Sequence, residues 1–352
     1  MVLRKRYNHD GKPIFFLNDL QKNAKESIGK KIKSKEYKFE TVKKCAICGK
    51  KHFETLSEKD RYGLKINTQI CKSCGLVFTN PRFNKKTLSK FYDEEYRSLY
   101  SGGKTPSKIF WSEQVKHGRD IFRILSKFKK MENKSVIEIG TGAGGILKNF
   151  QEKGNSILGI DLGSEYLDFG RKKGLTLFKG DINYLIKKGI KSDIIIYSHV
   201  LEHVSDLKGE LRKIKKILNP GGLLYIEVPG IKNLEKSCGM DFLSMLQNAH
   251  LYYFTLNTLR NLLETNGFSC IYGNEEIKSV FKINKESSKR IENDYFKTIN
   301  YLNFIENKKK KIAPNFYMIK LKIKKILFIM LKKLNLYKPV FSIYFKLKWR
   351  YK

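Results

Sequence analysis

The stretch Val136–Gly145 reads VIEIGTGAGG, and its reading decides the fold. Val136, Ile137 and Ile139 make a short β-rich run, glycines follow at 140, 142, 144 and 145, and a helical apolar pattern starts at Ile146. Strand, glycine turn and helix in that order open a βαβ unit, because glycine permits the tight turn and lets a ligand approach the backbone at the helix N-terminus. Downstream, SILGID, LTLFKGD, SDIIIYS, GLLYIEV and FSCIYG alternate with helical stretches. Continuous apolar runs such as DIIIY suit strands covered on both faces. The pattern predicts a doubly wound, Rossmann-like α/β domain over residues 131–285.

Gly140, Gly142 and Gly145 also satisfy the dinucleotide fingerprint, so the loop alone leaves the cofactor open. Glu138, at the strand end before the first glycine, shifts the balance toward a ligand with positive groups and away from a pyrophosphate. With Glu138, Gly140, Thr141, Gly142 and Gly144 in E-x-G-x-G-x-G spacing, the loop resembles motif I of class I S-adenosylmethionine-dependent methyltransferases. The resemblance extends in order over residues 135–273. It implies ribose contacts at Asp161 and Leu162 after the second strand, adenine contacts at Asp181 and Ile182 after the third, and a contact at Ser198 on the fourth. The Pro-Gly-Gly turn of NPGGLLYIEVPG and the segment NAHLYYFTLNTLRNLLETNGF are similar to the family's later elements.

Tyr197–Val204 reads YSHVLEHV and contains His-x-x-Glu-His, the inverted zinc-peptidase signature, at His199, Glu202 and His203. A peptidase needs both histidines on one helix, yet a buried-strand pattern runs to Ser198 and places His199 at the strand's carboxyl end. In the methyltransferase reading the same residues lie beside the methyl group. His199 or His203 then accepts a substrate proton with Glu202 stabilising the imidazolium, or the cluster holds a divalent cation, or it shapes the loop. His250 in AHLYYF is a second base candidate, and Tyr96, with Tyr92, is a candidate for contact with the acceptor.

Upstream, Cys45 and Cys48 in CAICGK and Cys71 and Cys74 in CKSCGL form two C-x2-C pairs with 22 residues between them. A glycine after each pair allows the knuckle turn of a zinc ribbon, so residues 41–82 are expected to hold a structural Zn2+ closed by four thiolates. Residues 1–40 read as a loosely ordered basic arm and 83–130 as a helical connector or lid. Residues 286–352 read as a basic amphipathic tail.

The 352-residue chain carries a net charge of +37, of which Asn307–Lys352 supplies 15 Lys or Arg with no acidic residue. On one face of the tail helix lie Ile323, Ile326, Leu327, Met330, Leu331 and Leu334, which suits an anionic membrane surface, nucleic acid or the protein's own domain. No secretory run precedes Asp19, and the expectation is a cytoplasmic protein, peripheral at the inner membrane face if the tail binds there.

The order of four-cysteine ribbon, helical connector and methyltransferase domain resembles bacterial enzymes of sugar and surface-polysaccharide biosynthesis. It implies a sugar, nucleotide-sugar or lipid-linked glycan acceptor. Related sugar C-methyltransferases carry a further α/β domain after this one, and here only the basic tail follows, which favours methylation on oxygen and leaves C-methylation of a nucleotide-linked deoxysugar as an alternative. RNA methylation is the rival enzyme reading; base-methylation motifs after the fourth strand are absent from YSHV. A zinc and nucleic-acid binding module is the non-enzyme reading.

Overall fold

In the computed structural model, the described residues are 3–100, 105–284, 286, 290–311 and 330. Residues 1–302 form one compact unit and 303–352 a second. Apart from Met330, the face expected of the tail helix lies outside the described residues.

The strands are β1 Phe39–Glu40, β2 Phe53–Ser57, β3 Thr68–Cys71, β4 Val77–Thr79, β5 Arg82–Phe83, β6 Ser135–Ile139, β7 Ser156–Asp161, β8 Leu177–Lys179, β9 Ser192–Ser198, β10 Leu218–Glu227, β11 Tyr252–Tyr253, β12 Phe268–Gly273 and β13 Lys278–Ile283. The helices are α1 Asp19–Lys33, α2 Lys85–Glu94, α3 Tyr96–Tyr100, α4 Lys108–Leu125, α5 Gly145–Glu152, α6 Ser164–Arg171, α7 Ile182–Lys187, α8 Leu207–Ile217, α9 Phe242–Met245, α10 Leu256–Glu264 and α11 Tyr295–Lys311.

The main sheet has the order β12-β13-β10-β9-β6-β7-β8. From β10 to β8 the neighbours are parallel, while β13 runs antiparallel to both β10 and β12. Side chains alternate across the strands, and the alternation builds a core on each face. Val136, Ile194, Ile196, Leu223 and Tyr225 pack with α4 and α5 residues such as Ile121 and Phe150. Ile137, Ile195, Tyr197 and Leu224 pack with Leu185, Leu211 and Ile214 of α7 and α8. This is the expected Rossmann-like sheet with helices on both faces. The strand order reverses between β6 and β9, which opens the crevice at their carboxyl ends.

The cysteine region forms a second sheet of order β11-β4-β3-β2. Its outermost strand, β11, comes from far downstream and pairs with β4 through Tyr252 opposite Phe78 and Tyr253 opposite Val77. The module and the large domain also share one continuous core, which runs from Cys71, Leu76 and Phe78 to Leu251 and Phe254.

The N-terminal segment departs from the expected loose arm. Residues 19–33 form α1, opened by an Asn18–Gln21 capping box, and Ala24 and Ile28 are buried. The buried Glu95 explains this order: Ser27, Lys31 and Tyr37 all donate to its carboxylate. Gln21 Nε2 donates to Leu99 O at 3.1 Å, so α1 is fastened to α3 as well.

Candidate active site

The glycine loop leaves β6 with left-handed backbone at three positions, φ being 69° at Gly140, 55° at Gly142 and 75° at Gly144. A Cβ on Gly140 would stand 2.4 Å from Val200 Cγ2, so this glycine also lets the loop close on the chain after β9. Glu138 is buried and accepts from Thr141 Oγ1 at 2.7 Å. Burial pushes its carboxyl up to about 8; the Thr141 hydroxyl opposes the shift and Asp161 adds to it. Asp161 braces the loop, taking the Gly142 amide on Oδ2 and the Gly163 amide on Oδ1, each at 2.8 Å.

Leu162 is exposed beside Asp161, and exposed Asp181 caps α7 by accepting from Asn183 N at 3.0 Å. Ser198 is half-buried at the end of β9. Thus Glu138, Gly140, Thr141, Gly142, Gly144, Asp161, Leu162, Asp181 and Ser198 lie at the carboxyl ends of β6 to β9 or in the turns that follow them. Ile182 differs, since its side chain packs into the core. The donor set fits S-adenosylmethionine: a buried carboxylic acid awaits a cation, and an exposed leucine beside a carboxylate suits an adenosine.

After β9 the chain makes no continuous helix. His199 has φ 55°, a left-handed conformation costly for a side chain with a Cβ, and its amide donates to Glu227 O at 2.8 Å. A short 3-10 turn, Leu201–His203, follows. The two histidines of the peptidase pattern therefore do not share a helix.

Glu202 is 1% exposed, and neither carboxylate oxygen has a hydrogen-bond partner. Around Glu202 Oε1 stand His199 Nδ1 at 3.5 Å and the Nε2 atoms of His203 and His250 at 4.0 Å. The three imidazoles are not equivalent. His199 is 54% exposed. What burial it has lowers its proton affinity, but the Glu202 carboxylate outweighs this and raises it. Burial lowers His203, against the opposing pull of Glu202. Burial, with the positive charge of Arg61, holds His250 well below the usual imidazole range.

Hydrogen bonds assign the tautomers. His203 Nδ1 lies 2.9 Å from Ala249 O and 2.8 Å from Tyr92 Oη. A carbonyl only accepts, so Nδ1 carries the proton and Nε2 holds the lone pair. Arg61 Nη2 donates to Gln247 Oε1 at 2.9 Å, which turns the Gln247 amide nitrogen toward His250 Nε2. His250 is thereby occupied as an acceptor, which leaves it poorly placed to serve as the base. Glu202, His203 and His250 each bring one ligand atom within 4.8 Å of the others. That spacing would suit a divalent cation, but the Gln247 amide already engages His250.

The cysteine module builds the wall behind these groups. Thr79 Oγ1 donates to His250 O at 2.7 Å, and Leu251 N donates to Glu202 O at 2.8 Å. Tyr92 and Tyr96, half-buried, face His203 with ring centroids 6.0 and 6.2 Å away. Both expected tyrosines therefore reach the cluster. Arg61, Gln247, Glu227 and His117 escaped the reading of the sequence. His117 Nε2 of α4 lies 2.8 Å from Glu227 Oε2, at the end of β10 beside His199. Burial raises Glu227, yet His117 outweighs it and the carboxyl is lowered overall.

The sulfurs of Cys45, Cys48, Cys71 and Cys74 lie within 4.8 Å of one another. Cys45 and Cys74 are 3.4 Å apart and Cys48 and Cys71 3.5 Å, near the roughly 3.8 Å edge of a tetrahedron with 2.3 Å metal–sulfur bonds. The four residues predicted as ligands therefore converge. Cys238 and Cys270 stand apart from them.

Comparison with known proteins agrees with this geometry. The model of a family described as a methyltransferase domain matches residues 111–272. An uncharacterised methyltransferase of Geobacillus kaustophilus is 22% identical over 197 residues, covering 52% of this chain and 83% of that protein. The C-methyltransferase NovU of Streptomyces niveus is 23% identical over 141 residues, covering 39% of this chain and 33% of NovU. A ubiquinone biosynthesis O-methyltransferase of Hydrogenovibrio crunogenus is 26% identical over 109 residues, covering 29% of this chain and 45% of that enzyme. The chain thus spans less than half the length of the last two.

Proposed function

We propose that this protein, an S-adenosylmethionine-dependent methyltransferase, methylates a hydroxyl oxygen of a sugar or glycan precursor, with His199 as the proton acceptor. The observation that carries the reading is His199 itself: it is exposed at the end of β9 on a strained backbone, and the buried Glu202 carboxylate lies 3.5 Å behind it. When bound, the cofactor supplies a methyl group already activated by its sulfonium. The chain's own residues then have two tasks, alignment and proton removal. Glu138, Asp161 and the glycine loop fix the donor, and alignment accounts for up to about 7–11 kcal/mol of the barrier. Neutral His199 takes the hydroxyl proton on its exposed nitrogen, and Glu202 stabilises the imidazolium formed. His203, pinned by Ala249 O and Tyr92, is a neutral wall beside Glu202.

In this reading the four cysteines hold a structural Zn2+, closed by four thiolates, so that β4 and β11 present His250 and Leu251 rigidly to Glu202. A carbon acceptor is the second reading, favoured by the likeness to the C-methyltransferase NovU. His199 would there remove a proton from carbon. The test is transfer from 13C-methyl-labelled S-adenosylmethionine into cell extract, fractionated into glycolipid, nucleotide sugar and RNA. An O-methyl resonance in a sugar-bearing fraction is expected. A C-methyl resonance selects the second reading, and label confined to RNA overturns both.

A further inference from the structure

Arg61 stands between the catalytic cluster and an exposed apolar ledge. Its guanidinium donates to Tyr62 Oη at 2.7 Å, Gln247 Oε1 at 2.9 Å and Ser244 O at 3.3 Å, all neutral acceptors, and its Nε is buried without a partner. Among the described residues no carboxylate pairs with it. Even the adjacent Asp60 turns inward to the amides of Tyr62 and Leu64. A guanidinium kept without a counter-ion at the lip of a site is suited to an anion brought by the ligand.

On the cluster side, Arg61 Cζ lies 5.4 Å from the Tyr100 ring, Tyr100 stacks on Tyr96 at 5.5 Å, and Tyr96 faces His203. On the other side it lies 6.0 Å from the Phe15 ring, which packs on Tyr62. Next to Phe15, Phe16 is 69% exposed and Leu20 46%. Buried Leu17 and the Gln21 bond to Leu99 O hold this segment so that Phe16 and Leu20 face outward. A shallow cavity of about 300 Å³ is lined by the two phenylalanines together with Lys22, Lys25 and Glu26; Lys22 pairs with Asp19 at 3.2 Å and Lys25 Nζ donates to Gly11 O at 2.8 Å. Exposed aromatic surface edged by lysine matches a membrane interface, whose acyl boundary takes the rings and whose anionic headgroups take the ammonium groups.

Resting on the methyl-transfer reading, we infer that the acceptor is a lipid-borne phosphate ester. Its hydroxylated head reaches His199, its phosphate lies on Arg61, and its hydrocarbon chain lies on Phe15, Phe16 and Leu20. This order of polar head, anion and apolar chain repeats the order of cluster, guanidinium and ledge. A soluble sugar phosphate would use the first two parts and leave the ledge without a role.

The experiment is calorimetric titration of the full chain, loaded with S-adenosylhomocysteine, with farnesyl phosphate, farnesol or inorganic phosphate. Farnesyl phosphate is expected to bind at least about tenfold more tightly than either of the others. The pair Phe16→Ser with Leu20→Ser, both exposed and safe for folding, should reduce it to the level of inorganic phosphate. Arg61→Gln should reduce it to the level of farnesol, with Arg61→Lys in between. Equal affinity for farnesyl phosphate and phosphate overturns the inference. So does unchanged binding by both variants, which would place the ligand on another basic part of the sequence such as 307–352. Wild-type protein that fails to bind S-adenosylmethionine would instead overturn the methyltransferase reading, a separate result.

Discussion

The four cysteine sulfurs meet one another, with 3.4 and 3.5 Å between the facing pairs, whereas Glu202 meets three imidazoles and keeps both oxygens without a hydrogen bond. The first group is closed: three of its members are buried, and a metal there would find all its positions filled by protein. The second is open on one side, because His199 is half exposed while Glu202 is not. A buried carboxylate without partners costs about 1–3 kcal/mol or more, so a fold keeps one where it gains something besides stability. Closure marks a group that holds the fold, and an unsatisfied, accessible group marks one that reacts.

The largest effect should come from breaking the closed group. Cys71→Ser removes a buried thiol at the end of β3, one of the four proposed ligands, and metal binding contributes about 10–16 kcal/mol to small sites of this kind. Loss of bound metal by elemental analysis and loss of the β2–β4 sheet by circular dichroism are expected. S-adenosylmethionine binding should survive, because the main sheet has its own second core. Retained metal in this variant would remove the cysteines from the role of ligands.

Breaking the open group should leave the fold intact and stop the chemistry. His199→Ala is expected to lower kcat by about 10² to 10⁴ with unchanged cofactor affinity. The pH profile supplies the sign. A base whose proton affinity is raised by Glu202 works only when deprotonated, so activity should rise with pH through a midpoint above that of an ordinary imidazole. Glu202→Gln should move that limb toward lower pH. An unmoved limb would separate Glu202 from the proton.

Glu138 gives a third, smaller contrast, at the end of β6. Its carboxyl sits near 8 because it is buried without a cation, so at neutral pH the free protein holds it as the acid. A cofactor ammonium prefers the carboxylate, and binding must then release the proton. Affinity should strengthen by about tenfold per pH unit up to about pH 8 and level off above it. Glu138→Gln should abolish the dependence. Calorimetry in buffers of different ionisation enthalpy would count the proton directly.

How much of this was legible depended on the distance in sequence over which each feature is decided. The glycine loop, Asp161 and β9 are local patterns, and they lie where the sequence placed them. The cysteines were legible because two knuckles of fixed spacing carry their own geometry. By contrast, β11 is two residues long and exists only because β4 is beside it, and β13 has Lys278, Ser279 and Lys282 diluting its apolar signal. The order of α1 depends on Glu95, more than 60 residues away, which no periodicity in residues 1–40 could announce. Arg61 and Gln247 are likewise 186 residues apart, and nothing in either neighbourhood marks their contact with His250.

The smallest expected effect tests closure itself. His52 is exposed and follows the first knuckle, and its carbonyl accepts from Lys72 N at 2.9 Å, which brings it near the second. If the cysteine cluster had an open position, this imidazole would be a ready fifth donor, and His52→Ala would weaken metal binding. If the four sulfurs take all the positions of a tetrahedral metal, the ring has none to fill. His52→Ala should therefore keep one metal per chain and the same resistance to a competing chelator. A marked loss of metal would show that the site is open, and the cysteine module would then stand beside Glu202 as a second candidate for chemistry.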